Sequence, residues 1–441
     1  MRRARLLGLL GIVAISGAVG AACGGADSES SGTGGEGDTS NAGGSGPGAT
    51  TGNPGAGGFN PVTTGAGGTS PGDCMSGDTE DKDKDGFTKA DGDCNDCDAN
   101  VNPGAIEVVI TEPQGDGGVP PPADEDCDGM IDNPAPTCDD GLNFDDTDPK
   151  NGARAIDLCQ EAVGKKWGVM EASYVRADGT PMPANLAVGI LDGFGPNVNV
   201  QLGKRMLALS SGYARLPGQA GACTNNGCST NPGGTPPPNF PQVVPGCNGG
   251  TNINDDAGLD IKVRAPTNAT GYNFKFKFYS FEFAEYVCTL FNDQFIALVT
   301  PPPMGANNGN IVFDSMNNPV SVNIAFFDVC DPVANNDFGS VCSFGGGPCP
   351  PMPNPYCPSG PAELVGNGFD DAFGSFFEDA GGTSWLQTTA PIDPGAEFNI
   401  RFAIWDVGDT IYDSTVLVDG FEWIANGGTV NVGTDPIPDP K

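Results

Sequence analysis

Two runs in the sequence place an aspartate at every second position and follow the last with glycine. The first is Asp81-Lys82-Asp83-Lys84-Asp85-Gly86-Phe87, and the second is Asp124-Glu125-Asp126-Cys127-Asp128-Gly129. Alternate carboxylates in an open loop reach one centre, and the glycine permits the sharp turn. A backbone carbonyl just beyond it adds a further oxygen, which is the donor set that calcium takes. In the first run that carbonyl belongs to Phe87, and Asp91, Asp93 and Asp96 follow as closing ligands. The second run closes on Asp132. The position that an EF-hand gives to glutamate is Gly92, and no helical pattern flanks the loop, so the runs are not EF-hands. A solvated acidic linker is the competing reading. The recurrence of the run, with cysteines among the acids, favours calcium.

Composition narrows the remaining chemistry. The 441 residues hold 20 Lys and Arg against 56 Asp and Glu, a formal charge of -36. A basic face for nucleic acid is therefore missing, and nucleic acid is not an expected partner. There are 0 His, which removes His-based catalytic triads and His-ligated zinc or copper. Residues 73–148 contain 23 acidic residues and 3 lysines, a net -20, so this block repels itself unless cations neutralise it. Its cysteines sit among carboxylates suited to hard cations, so zinc is not favoured.

The elements that must hold these groups follow from periodicity. Asp148 and Pro149 read as the N-cap and first residue of an amphipathic helix running to Gly164, with Ala155, Ile156, Cys159, Ala162 and Val163 on its apolar face. Beyond it the period becomes two. Strands are expected at 167–175, 205–211, 259–265, 272–283, 294–300, 310–315, 320–327, 398–406 and 414–424. Tyr272, Phe274, Phe276 and Phe278 alternate with Asn273, Lys275 and Lys277, predicting one core face and one wet face. The fold class is thus mainly β, an antiparallel and jelly-roll-like β-sandwich with one amphipathic helix. A small loop-rich acidic module and a disordered linker precede it.

Near the strand at 272–283 the apolar phase shifts, which puts Glu282 on the core face, with Glu285, Asn292 and Asp293 close behind. Asp406, Asp409 and Asp413 cluster between two strands. A carboxylate driven toward a core needs a cation or a hydrogen-bond network. Calcium at a sandwich end and loop capping by Asp and Asn are equally good accounts. A glycoside hydrolase using paired carboxylates is the enzymatic alternative. No nucleophile–base set is present, and a non-enzymatic binding or adhesion role is the favoured one.

The N-terminus addresses the chain. Arg2, Arg3 and Arg5 precede an apolar run over 6–19, with signal-peptide proportions. Residues 24–72 contain 18 Gly and no Lys or Arg, the composition of a disordered tether. Fifteen cysteines, 14 without Cys23, fit an exported disulfide framework. Cys94 and Cys97 have redox-type spacing but no surrounding βαβ pattern.

Three resemblances extend this. Gly20-Ala21-Ala22-Cys23 resembles a bacterial lipobox, although Gly20 stands where Leu is usual. The resemblance implies lipidation of Cys23, and Gly24 in place of Asp points to the outer membrane or cell surface. Cleavage after Ala22 as a simple secretory signal is the other reading. Residues 81–87, 93–96, 101–107 and 124–132 resemble the MopE-type metal-binding motif. That name is associated with copper held by Trp and His, and this segment has neither, so calcium is expected rather than copper. The stretches 187–191, 206–211, 278–295, 326–330, 381–391 and 401–419 resemble the choice-of-anchor L domain family, which implies an exported β-rich domain carried by an anchor. The expected layout is signal 1–22, Cys23 and tether 23–72, acidic module 73–138, sandwich 139–426 and a tail 427–441. Partners are the membrane, through the lipid, and an extracellular glycan or protein.

Overall fold

The structure, a computed structural model, describes residues 76–111, 119, 121–284, 286–323, 326–331, 357–370, 380–425 and 427–437. The signal, Cys23, the tether and Glu285 lie outside the described residues. The chain forms strands β1 (Gly168–Val175), β2 (Val188–Leu191), β3 (Met206–Ser210), β4 (Ile253–Arg264), β5 (Gly271–Ser280), β6 (Gln294–Thr300) and β7 (Val320–Ser321). It continues through β8 (Phe327–Cys330), β9 (Gly381–Thr383), β10 (Leu386–Pro391), β11 (Glu397–Val407), β12 (Ser414–Ile424) and β13 (Gly433–Pro436). One antiparallel sheet has the order β1-β4-β11-β6-β7. The other runs β13-β10-β5-β12-β3-β2, with β9 joining β5 to β8.

The aromatic alternation of β5 builds the core between the sheets. Phe274 meets Phe402 of β11 at 5.0 Å between ring centroids, and Phe276 meets Phe295 of β6 at 5.2 Å. Tyr272 stacks on Phe398 at 5.3 Å. Each pair joins one sheet to the other, so burial and ring contacts act on the same interface. The mainly β, two-sheet expectation is met.

Five local expectations need correction. The opposite face of β5 is wet only in part: Asn273 and Lys275 keep some exposure, but the face is covered from Lys277 onward. Tyr279, Met206, Ala208 and Leu417 pack there under Phe194, Phe369 and Trp385, in a second apolar layer. Lys277 is consequently buried and ion-paired with Glu363. The helix α1 spans only Pro149–Arg154. Asp148 caps it as expected, accepting from the Lys150 amide at 2.9 Å. It stops early because Asp157 turns left-handed (φ 71°) and the Cys138–Cys159 disulfide draws the chain away. Val163, assigned to its apolar face, is 69% exposed. The strand expected at 310–315 is reduced to isolated bridges because the Asn310 side chain replaces backbone partners. Its Oδ1 accepts from the Ala297 and Val312 amides at 3.0 and 3.1 Å. The strand expected at 320–327 divides into β7 and β8. Finally, part of the segment read as a tail adds β13 beside β10.

Five disulfides are formed among the described residues: Cys94–Cys127, Cys138–Cys159, Cys223–Cys228, Cys247–Cys288 and Cys330–Cys357. Cys94 and Cys97 do not pair with each other, which removes the redox-motif reading. No helix among the described residues is long and apolar enough to cross a membrane.

Candidate metal centres

The two aspartate runs fold into the same loop. In the first, Asp81 accepts from the Gly86 amide at 3.1 Å, Asp83 from Asp85 at 3.3 Å, and Asp85 from Phe87 at 2.7 Å. In the second, Asp124 accepts from Gly129 at 3.0 Å, Asp126 from Asp128 at 3.0 Å, and Asp128 from Met130 at 2.7 Å. The backbone agrees: φ is 69° at Lys84 and 95° at Gly86, against 56° at Cys127 and 92° at Gly129. Asp81 and Asp124 accept loop amides through both oxygens, whereas Asp83 and Asp85 spend one oxygen on shaping the loop and leave the other buried and unpartnered.

In the first centre Asp93 and Asp96 complete the ring. Asp93 Oδ1 accepts from Asn95 at 2.8 Å, and Asp96 Oδ1 accepts from Lys82 at 2.9 Å. Oxygens of Asp81, Asp83 and Asp85 lie within 4.8 Å of one another, as do those of Asp83, Asp93 and Asp96. The second oxygens of Asp83, Asp85, Asp93 and Asp96 are buried with no partner in hydrogen-bonding geometry, and Asp96 differs from the others in that the nearby Ser76 hydroxyl and the Lys82 amide lower its carboxyl. Burial raises the Asp83 and Asp93 carboxyls and pushes Asp85 up to about 6, with neighbouring carboxylates adding to each rise. Two groups of three carboxylates that share Asp83, with an orphaned oxygen on four of the five residues, fit a hard cation with oxygen ligands.

The second centre includes two residues missed as ligands in the sequence. Oxygens of Glu107, Asp124 and Asp126 lie within 4.8 Å of one another, and so do those of Glu107, Glu125 and Asp132. Glu107 accepts from the Asp126 and Asp132 amides at 3.3 and 2.8 Å, and Glu125 accepts from Val108 at 3.2 Å. Burial raises Glu107, Glu125 and Asp126. Glu107 ends the 101–107 stretch, and that position was the signal available. The Cys94–Cys127 disulfide links the two centres.

Two expected ligands, Asp91 and Asp128, have other partners. Asp91 pairs with Lys165 at 2.9 Å and completes a capping box with Thr88. Asp128 accepts from Asn133 at 3.1 Å through its second oxygen. The Phe87 ring is buried and packs under Gly104, where a Cβ would approach it to 2.8 Å. It forms part of the seam joining this module to the sandwich. Thr267 and Asn268, in the β4–β5 turn, bond Asn102 at 2.8 Å and Ile106 at 2.8 Å, and Trp167 donates to the Ala105 carbonyl at 3.1 Å.

At the far end of β5 the structure brings together Glu282, Asp293 and Asp406, buried at 1%, 0% and 1% exposure. The Val407 amide donates to Asp293 at 3.0 Å and the Asp293 amide to Glu282 at 3.3 Å. Burial, then the charges of Asp293 and Glu282, pushes Asp406 up to about 12. Asn292 is occupied by the Asn323 amide at 3.2 Å, Asp409 by Ile411 at 2.9 Å, and Asp413 by Cys228 at 2.9 Å. Glu282, Asp293 and Asp406 are closed to solvent, whereas Asp409 is half-buried.

A third constellation, Asp139, Asp157 and Asp419, carries no signal in the sequence because its members are far apart in the chain. Gly203 fits between them: a Cβ there would meet Asp139 at 2.5 Å and Asp157 at 2.6 Å. Burial, then the nearby Asp139 charge, pushes Asp157 up to about 7, with Glu422 adding to it. Burial, then Asp157, pushes Asp419 up to about 8. These folded values exceed the unfolded value of about 4. The folded state therefore binds protons that the unfolded chain has released, and stability falls as pH rises through that window. In chelator, the melting temperature should drop from about pH 4 to about pH 8, between the unfolded and the folded values, and Asp419→Asn should flatten the drop. A profile unchanged by that substitution would show that this pair holds no proton.

A family model described as the choice-of-anchor L domain matches residues 185–422, more than half of the chain. No curated protein and no solved structure matches it.

Proposed function

Because the chain belongs to the choice-of-anchor L domain family, we propose that it is an exported, surface-associated and non-enzymatic protein whose β-sandwich binds an extracellular glycan or protein. Cys23 carries its lipid anchor, residues 24–72 hold the domain clear of the outer membrane or cell surface, and calcium stiffens the acidic module. The observation that carries the calcium reading is the set of four buried oxygens, one each on Asp83, Asp85, Asp93 and Asp96, with no partner in hydrogen-bonding geometry. Two Ca²⁺, one per loop, would neutralise carboxylates that otherwise repel at the seam with the β4–β5 turn. The all-oxygen donor set favours calcium over copper. Metal-free and calcium-loaded full-length protein, compared by metal analysis after dialysis, should differ by at least two Ca²⁺ per chain. Equal metal content would reduce the module to a folded acidic spacer.

The anchor has its own test. Wild-type protein expressed in a bacterium should take up labelled fatty acid and partition with membranes, and Cys23→Ser should lose both properties. A wild type that takes up no label would leave simple secretion as the mode of export.

A further inference from the structure

The Glu282 cluster lies at the opposite end of the sandwich from the acidic module. The module packs on the β4–β5 turn, at the Gly271 end of β5, whereas Glu282 follows the Ser280 end. Ten strand residues place these ends roughly 30 Å apart. The cluster therefore forms a separate problem in electrostatics.

Its three acids come from different elements. Glu282 is in the β5–β6 connection, Asp293 immediately precedes β6, and Asp406 lies near the end of β11, where the pairing with β4 shifts register. Two backbone amides serve Asp293 and Glu282. Asp293 Oδ2 and both oxygens of Asp406 are buried with no partner in hydrogen-bonding geometry, although the Ser414 hydroxyl and the Asp406 carboxyl lie close enough to Asp293 to lower its carboxyl against the effect of burial. Among the described residues, no Lys or Arg forms an ion pair with any of the three. Asp409 and Asp413 add negative charge nearby. Buried carboxylates without donors are costly unless something positive sits among them.

We propose that Glu282, Asp293 and Asp406 bind a structural Ca²⁺ that closes this end of the sandwich. The topology explains what the ion would do. The β5–β6 and β11–β12 connections both cross between the two sheets here. An ion held by Glu282 and Asp293 on one crossing and by Asp406 beside the other ties the sheets together where backbone pairing ends. Ca²⁺ suits the carboxylate donors and an irregular shell, whereas Mg²⁺ demands near-octahedral geometry. The competing account is that the carboxyls share protons and bind no metal.

The test uses the full-length chain with the module's ligands removed by Asp83→Ala and Asp126→Ala. On that background, calcium chloride at a hundredfold excess over Kd should still raise the melting temperature by roughly 5 °C. Asp406→Asn, and separately Glu282→Gln, should abolish the rise and remove one Ca²⁺ per chain in native mass spectrometry. The second variant covers the case in which the first does not fold. A melting temperature indifferent to calcium on that background, or a rise that both variants leave intact, would overturn the proposal in favour of shared protons. Loss of no ion on introducing Asp83→Ala and Asp126→Ala would instead count against the module and leave this site standing.

Discussion

Alanine at both Asp83 and Asp126 should weaken calcium binding by the acidic module at least about 100-fold, because calcium affinity follows the number of charged ligands. Asp83 belongs to both oxygen groups of the first centre, and Asp126 shares the second with Glu107. Removing either leaves neighbours that still repel, such as Asp85 beside Asp93. The change should therefore extend beyond affinity: amide protons over 76–111 should lose protection from exchange in calcium buffer. Glu107→Gln should weaken the second centre as much as Asp126→Ala does. Asp91→Ala should change calcium affinity less than about twofold, since this carboxylate serves Lys165 and Thr88. Isothermal titration of the wild type and the four variants separates these outcomes. Equal affinity in wild type and the double variant would refute the ligand assignment, and a large loss with Asp91→Ala would refute the geometry of the first loop.

That contrast marks the limit of what the chain discloses. The loops were legible because each is local: alternate aspartates, a glycine and the next amide fix the turn within seven residues. Closure is less local. Asp93 and Asp96 lie near enough in sequence to be found, but so does Asp91, and only the capping box with Thr88 shows that it faces elsewhere. Glu107 and Glu125 reach the second centre from opposite ends of a long excursion. The core face of β5 was legible from its aromatic period, and Glu282 is buried because it keeps that parity. The expected phase shift does not occur, since Phe278 stays in the core between the sheets and Tyr279 packs on the opposite face. The opposite face was not legible, because residues 194, 369 and 385 come from remote loops to cover it. The helix signal at Asp148-Pro149 was sound for its start. Its end depended on a disulfide and on one left-handed aspartate, which periodicity does not register.

Lys277 tests that covering layer. Its side chain is 1% exposed and its ammonium pairs with Glu363, whose side chain keeps 18% exposure, and lies 5.9 Å from the centre of the Trp385 ring. The two partners therefore differ in what happens when one is lost. Glu363→Ala strands a cation beneath the layer, and breaking a buried pair in this way costs about 3–5 kcal/mol. For a domain of this size that corresponds to a fall in melting temperature on the order of 10 °C. Lys277→Met leaves an anion that can still reach water and replaces the buried stem with an apolar one of similar length, so its cost should be about 1–2 kcal/mol. Combining Lys277→Met with Glu363→Gln removes both charges and should recover most of the Glu363→Ala loss. Chemical denaturation of the three variants decides the matter. Equal and small effects, under about 0.5 kcal/mol, would mean that the 357–370 segment does not stay seated on β5 in solution and that this face is wet, as its Asn-Lys-Lys alternation first suggests.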